Sequence, residues 1–252
     1  MSKSDNPDEI LHRFLDLANQ AARKGIVLFS NFLNMYEINL LHQNENLFYT
    51  GFSLYGGYQE AERQMVAFQP DALYYNWEYP ISCVQVEPLN HRFSEDLSHR
   101  DILGALMHLG IDRSLIGDIL IKDKSAYIFC VEKMADFIAK ELYKIKHTQV
   151  MTRCVKPVDL HIEMQYRTEE GFIASNRLDA FVAQACKLSR AQAAQFILGD
   201  NVFINGALVT NHNQGLAEGD VLSLRGHGKL RFEAFLNTTK KGRLHIRYAW
   251  YV

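Results

Sequence analysis

The chain has 252 residues, 48% of them hydrophobic and 22% charged, with a formal net charge of −2. This is the composition of a folded protein with one large domain or several small ones, and it excludes a disordered or fibrous chain. No apolar run approaches the ~18 residues of a membrane span, and the first residues lack a signal-peptide core, so a cytoplasmic protein without a membrane span is expected.

The four cysteines, Cys83, Cys130, Cys154 and Cys186, lie far apart and form no CxxC pair. A disulfide framework and a cysteine zinc site are therefore not expected, and a reducing compartment suits the chain. Residues 1–80 read as a small α/β domain. Asn6 can cap a first helix, with Pro7 at its first position and Glu9 three residues after the cap. Leu11, Phe14, Leu15 and Ala18 recur on one face, and Gly25 is a plausible stop. A second helix is expected after Asn34, where Glu37 is again three residues on. LFYTGFSLYGGY reads as a strand and turn, while AERQMVAF fits a helix or a strand.

Residues 81–168 are regular. ISCVQVEPL, GDILI, SAYIFCV and TRCVKPVDLHIEM read as strands. The first helix between them starts at a Ser98/Asp101 capping box with Leu97 and Ile102 as a hydrophobic staple, and Gly110 ends it. Met134, Ile138, Leu142 and Ile145 mark a second helix. The order β-α-β-β-α-β is the ferredoxin-like arrangement, shared by RNA-recognition modules. Tyr127 and Phe129 share a face of the third strand, as core or as base-stacking rings. The usual Gly-Phe elements of an RNA-recognition strand are missing and the first strand offers no aromatic, so the core reading is the simpler. Around it, Arg100 and Arg113 are candidate RNA contacts, whereas helix capping accounts for Ser98 and Asp101.

Residues 172–252 differ in charge. Residues 1–170 carry 17 basic against 24 acidic side chains, whereas residues 171–252 carry 10 against 5. Such a basic third suggests a polyanion partner, although charge also varies by chance along a chain. Leu178, Phe181, Val182 and Ala185 form a helical stripe, and Ser189 caps RAQAAQFIL, which Gly199 ends. Asn205-Gly206 between the apolar triplets 202–204 and 207–209 signals a hairpin, because both turn residues need positive φ. Glu218-Gly219-Asp220 turns the chain into VLSLR, and KLRFEAF and LHIRYAWYV form a last hairpin. Arg177, Lys187, Ser189, Arg190, Arg225, Lys229 and Arg231, converging near the N-terminus of the second helix, would make a cationic patch for a nucleic-acid backbone. The plainer alternative is an ordinary solvated face.

Arg177-Leu178-Asp179, Ser189-Arg190, Gly199 to Gly206 and Gly219-Asp220-Val221 resemble the S4 RNA-binding domain, named after a small-subunit ribosomal protein. The resemblance implies an RNA surface of Arg177, Lys187, Ser189, Arg190, Gln192 and Gln195, with Arg225 and Lys229 at its edge. GGYQEAERQMVAFQPD and LSHRDILGALMHLGIDRSLIGDIL further resemble upstream parts of the bacterial YlmH family, so the whole chain is similar to that family. It implies an α+β protein with domains at 1–80, 81–168 (ferredoxin-like) and 172–252 (S4). It also implies a non-enzymatic RNA-binding protein acting on ribosomal RNA and tRNA at the large ribosomal subunit, in rescue or quality control of stalled ribosomes. The alternative is an interaction factor for cell-division proteins, carried by the acidic first 170 residues.

HExxH, GxxxxGK[ST] and GxSxG are all absent, and no cofactor or metal is expected. S4 domains are often fused to pseudouridine synthases, whose catalytic aspartate sits in an Arg-Leu-Asp triplet. Here Arg177-Leu178-Asp179 lies inside the S4-like segment, at a helix start where an aspartate suits the dipole. No separate region large enough for a synthase remains.

Overall fold

The computed structural model describes residues 6–90, 95–122, 124–156 and 166–251. The chain divides into two compact units, Met1–Ile162 and Glu163–Val252. Together they form an α+β architecture. No helix among the described residues is long and apolar enough to cross a membrane.

The first unit opens with α1 (Pro7–Lys24), capped by the Asn6 side chain and closed by Gly25 at φ 64°. Its buried stripe is Ile10, Phe14, Ala18 and Ala21. Phe14 and Ala18 of the expected face are buried, while Leu11 and Leu15 flank the stripe half-buried and Ile10 and Ala21 complete it. Next come β1 (Leu28–Phe29) and α2 (Met35–Gln43), the latter held by the Asn34/Glu37 capping box. β2 (Gly51–Tyr55) and β3 (Met65–Gln69) complete a sheet of order β1-β3-β2. AERQMVAF, ambiguous in sequence, therefore supplies the central strand. Met65, Val66, Ala67 and Phe68 are all buried, and burial on both faces erases the alternation that would have marked a strand. Val66 and Phe68 pack with Ile10 and Phe14.

The same unit continues with β4 (Ile81–Pro88), α3 (His99–His108), β5 (Ile116–Lys122), β6 (Ser125–Val131), α4 (Glu132–Glu141), β7 (Lys144–Ile145) and β8 (Thr148–Val155). The sheet order is β5-β6-β4-β8-β7, with every pairing antiparallel. This is the split arrangement that β-α-β-β-α-β demands, with β7 added as a short hairpin partner. The Ser98/Asp101 box caps α3 as its spacing predicts. α4 is shorter than the apolar pattern suggested: Leu142 caps it, and Ile145 belongs to β7. The expected fourth strand is described to Lys156, and its remainder, residues 157–164, lies outside the described residues.

A polar joint links the two sheets of this unit. The Asp118 carboxylate on β5 accepts bonds from the Tyr58 hydroxyl at 2.8 Å, the Glu62 amide at 2.7 Å and the Arg63 amide at 3.2 Å. The Arg63 guanidinium donates to the carbonyls of Ile116, Phe32 and Arg113. Burial pulls the Arg63 pKa below its ordinary value despite the nearby carboxylates. Beside the joint, Tyr58 lies 5.2 Å from the Phe129 ring, and a Cβ on Gly57 would overlap that ring.

The second unit comprises β9 (Tyr166–Ile173), α5 (Leu178–Cys186), α6 (Arg190–Leu198), β10 (Val202–Ile204), β11 (Ala207–Leu208), β12 (Val221–Leu224), β13 (Gly228–Thr238) and β14 (Leu244–Tyr251). They build one sheet of order β11-β10-β12-β13-β14-β9. Both helices pack on one face of it, where Leu178, Phe181 and Ile197 meet Leu222, Phe232 and Tyr248. Asn205 and Gly206 take φ 48° and 80°, the left-handed pair that a two-residue hairpin turn requires. β9 escaped the sequence reading. Its YRTEEGFI carries adjacent glutamates, and it becomes a strand by pairing with β14 across Tyr166–Ile173.

Candidate nucleic-acid interface

The candidate interface centres on the bend between α5 and α6. Lys187 ends α5 in the left-handed conformation, φ 56°, and its side chain is exposed. Ser189 then caps α6. Its hydroxyl oxygen accepts from the Gln192 amide N–H at 3.2 Å, and the Gln192 side-chain oxygen accepts from the Ser189 N–H at 2.9 Å. The cap uses one oxygen of each side chain as acceptor, which leaves the Ser189 O–H and the Gln192 amide NH2 as donors. Gln195 stands exposed three residues after Gln192, on the same side of the helix.

The two helix starts differ. At α5, the amides of Leu178 and Asp179 donate to the carbonyls of Gln214 and His212, so a loop closes that end. Asn176 holds the loop by bonding both backbone groups of Leu216. At α6, the first-turn amides of Arg190 and Ala191 have no acceptor within the helix. They add a positive dipole end between Lys187 and the two arginines, a setting that suits a phosphate.

Asp179 organises those arginines. Its side chain is 5% exposed and lies 2.8 Å from Arg177 Nη2 and 2.7 Å from Arg190 Nη2. A second bond from Arg177 Nε, at 3.2 Å, makes that contact bidentate. Burial acts to raise the carboxyl pKa, but the bonds from Arg177 and Arg190 outweigh it and hold the group down at about 2. The trio carries one net positive charge and presents two half-exposed guanidinium groups in fixed orientations. This is the role that the Arg-Leu-Asp triplet plays here: both oxygens of the aspartate are occupied by arginine donors. Sequence reasoning placed Asp179 only at a helix dipole. The i, i+2 and i, i+11 spacing of its partners becomes a contact only after α5 and α6 pack.

The structure thus brings together Arg177, Lys187, Ser189, Arg190, Gln192 and Gln195 along α5 and α6. It does not bring Arg225, Lys229 and Arg231 to them; Arg231 lies over the Tyr166 ring. Strand alternation places the buried Leu224 and Leu230 toward the helices, and the three basic residues beside them go to the opposite face of the sheet. There the Arg225 guanidinium lies 5.2 Å from the Phe203 ring and Lys229 Nζ lies 5.4 Å from the Tyr251 ring.

In the first unit, the face of β4 and β6 turned away from α3 and α4 carries Tyr127 and Phe129. Phe129 is fully buried beneath Tyr58 and Gly57, so that ring is core. Tyr127 is half-buried, and its hydroxyl receives a bond from Gln85, which Arg153 also contacts. Arg113 donates to the carbonyls of Ile116 and Gly117 at 2.6 and 3.1 Å, and burial together with Arg63 lowers its pKa to about 10. Its guanidinium serves the fold, while Arg100 stays exposed at the start of α3.

Comparison with known proteins places these features. Three family models match: "YlmH, N-terminal" over residues 6–73, "Putative RNA-binding domain in YlmH" over 76–158, and "S4 domain" over 176–222. The chain is 28% identical over 202 residues to "Ribosome-associated protein quality control protein P2" of Bacillus subtilis (strain 168), a match spanning 79% of this chain and 77% of that protein. Among solved structures it is similar to "Cell division protein ylmH from Streptococcus pneumoniae", with a TM-score of 0.51 and 23% identity, covering 65% of this chain and 98% of that one. At that identity the likeness concerns the fold.

Proposed function

Because the chain belongs to the YlmH family, we propose that it is a non-enzymatic RNA-binding protein of the cytoplasm that docks on structured ribosomal RNA and tRNA at the large ribosomal subunit. Its task in this reading is rescue or quality control of stalled ribosomes, in keeping with the name of its Bacillus subtilis relative. The observation that carries the reading is the α6 N-terminus: open first-turn amides, flanked by Lys187 and by two arginines clamped on one buried aspartate. Phosphate groups of a folded RNA fit that chemistry, and neutralising them makes binding salt-dependent. No base edge needs to be read for such docking.

The test is RNA binding by the full chain across a salt series. Lys187→Gln removes one phosphate contact and should lower the slope of log affinity against log salt by about 1. Lys187→Glu with Gln195→Glu should weaken tRNA and ribosomal RNA binding at least tenfold, since juxtaposed like charges cost several kcal/mol, on the order of 3. Both positions are exposed, so the melting temperature should hold. Arg190→Glu is a poorer probe, because it would set a second carboxylate against Asp179. Unchanged binding by the double variant at low salt would remove this surface from the account.

A further inference from the structure

The six-stranded sheet of the second unit has a second face, turned away from α5 and α6. Along β14, Ile246, Tyr248 and Trp250 point into the core, so His245, Arg247, Ala249 and Tyr251 lie on the other side. Register sets Phe172, Glu170, Thr168 and Tyr166 of β9 opposite them, and Arg231 of β13 opposite Ala249. Rings and cations interleave there. Tyr166 and Tyr251 meet edge to face at 5.2 Å, and Phe172 stacks on His245 at 4.5 Å with 18° between planes. Arg231 lies 5.0 Å from the Tyr166 ring, and Arg243 lies 6.0 Å from Phe172. Phe203 under Arg225 extends the series onto β10.

The face carries Arg225, Lys229, Arg231, Arg243 and Arg247; of the carboxylates beside them, Glu233 follows Arg231 by two on β13, and Glu170 is already contacted by Arg247 and His245 at 3.2 and 2.9 Å. Phe172 is 42% exposed and Leu208, beside Phe203, is 48% exposed. From β10 to β9 the sheet spans four strand intervals, about 20 Å. A purely apolar face would suit a protein partner. Rings alternating with guanidinium groups on a sheet suit nucleotides, whose bases stack on the rings while phosphates meet the cations.

We propose that this face binds an unpaired RNA strand, separately from the helix face that docks structured RNA. The inference rests on the RNA-binding reading above and adds a second, single-stranded site to it. Stacking is tolerant of sequence, so the site would accept a handful of nucleotides with little base preference.

The experiment measures binding of the full chain to fluorescein-labelled oligouridine of about 12 nucleotides and, in parallel, to folded tRNA. Tyr166→Leu with Phe172→Leu keeps apolar bulk and all charges but removes two rings. It should weaken oligouridine at least about tenfold and leave tRNA within about twofold. Phe172→Trp keeps a ring, so it should retain oligouridine binding and show fluorescence quenching on titration. Lys187→Glu with Gln195→Glu should give the converse, losing tRNA and keeping oligouridine. Oligouridine binding that survives loss of both rings, with no quenching of the tryptophan, would overturn the proposal and leave the helix-face reading standing. Absence of binding to either RNA by the unaltered chain would remove both.

Discussion

Asp179→Asn should cost the second unit about 1–2 kcal/mol at neutral pH. The carboxyl is held at about 2 against an ordinary 3.8, and each pKa unit is worth about 1.4 kcal/mol. The carboxylate is 5% exposed, but its partners Arg177 and Arg190 are 39% and 46% exposed, so solvent screens part of that interaction. An amide in its place presents one acceptor to two guanidinium groups and carries no charge. The sign of the pH dependence follows from the depressed value. The carboxylate stabilises the fold above about pH 4, and that stabilisation fades as pH falls through about 2. Denaturation followed by circular dichroism should therefore show the unaltered chain losing this increment on acidification, while the variant loses less over the same window, since Asp101 and Asp112 still titrate there. Equal acid profiles would mean that the two arginines do not clamp the group. Because the aspartate is read as a structural clamp, the variant should also leave pseudouridine levels in cellular RNA unchanged. Loss of a specific pseudouridine, restored by the unaltered gene alone, would return the catalytic reading.

The second large effect lies in the first unit. Arg63→Met should destabilise it by about 1–3 kcal/mol. The guanidinium donates to three carbonyls; those of Ile116 and Arg113 keep second donors in the Arg113 side chain and the Ile116 N–H, so the main cost is the buried Phe32 carbonyl left without its arginine, about 1–3 kcal/mol. Asp118→Asn is the partner test, since an amide cannot accept from Tyr58, Glu62 and Arg63 together. Both variants should speed hydrogen exchange at the amides of Glu62 and Arg63. The backbone bonds of the distal β7–β8 pair should be less affected. Exchange at Glu62 that does not change in either variant would show that the joint is dispensable.

Much of the fold was legible because its signals are local. Ser98 with Asp101, Ser189 before RAQAAQFIL and Asn205-Gly206 each fix the backbone within four residues, and each forms as written. The β-α-β-β-α-β order survives even though α4 ends early, because it depends on which segments exist rather than on their limits. What escaped depends on distant partners. β3 is buried on both faces, so it shows no period. β9 exists through its register with β14, some 80 residues on. The joint of Arg63 and Asp118 spans more than 50 residues and leaves no motif.

The candidate site divides in the same way. Residues of α5 and α6 share a surface because helix geometry and one short bend place them there. The S4 resemblance puts Arg225 and Lys229 at the edge of that surface, but strand alternation carries them to the other face. That separation turns one expected patch into two chemically different surfaces, one with an open helix end and one with rings among cations.

In the proposed function, the α5–α6 face docks this protein on the large ribosomal subunit. Sucrose-gradient sedimentation of the tagged chain from a lysate, at low and moderate salt, tests it directly when followed by crosslinking and RNA sequencing. The account predicts co-migration with free large subunits, weakened by salt, with crosslinks to tRNA and nearby ribosomal RNA that disappear in Lys187→Glu with Gln195→Glu. A chain that stays at the top of the gradient at both salts, with no enriched RNA, would contradict it and favour a protein-interaction role carried by the first unit.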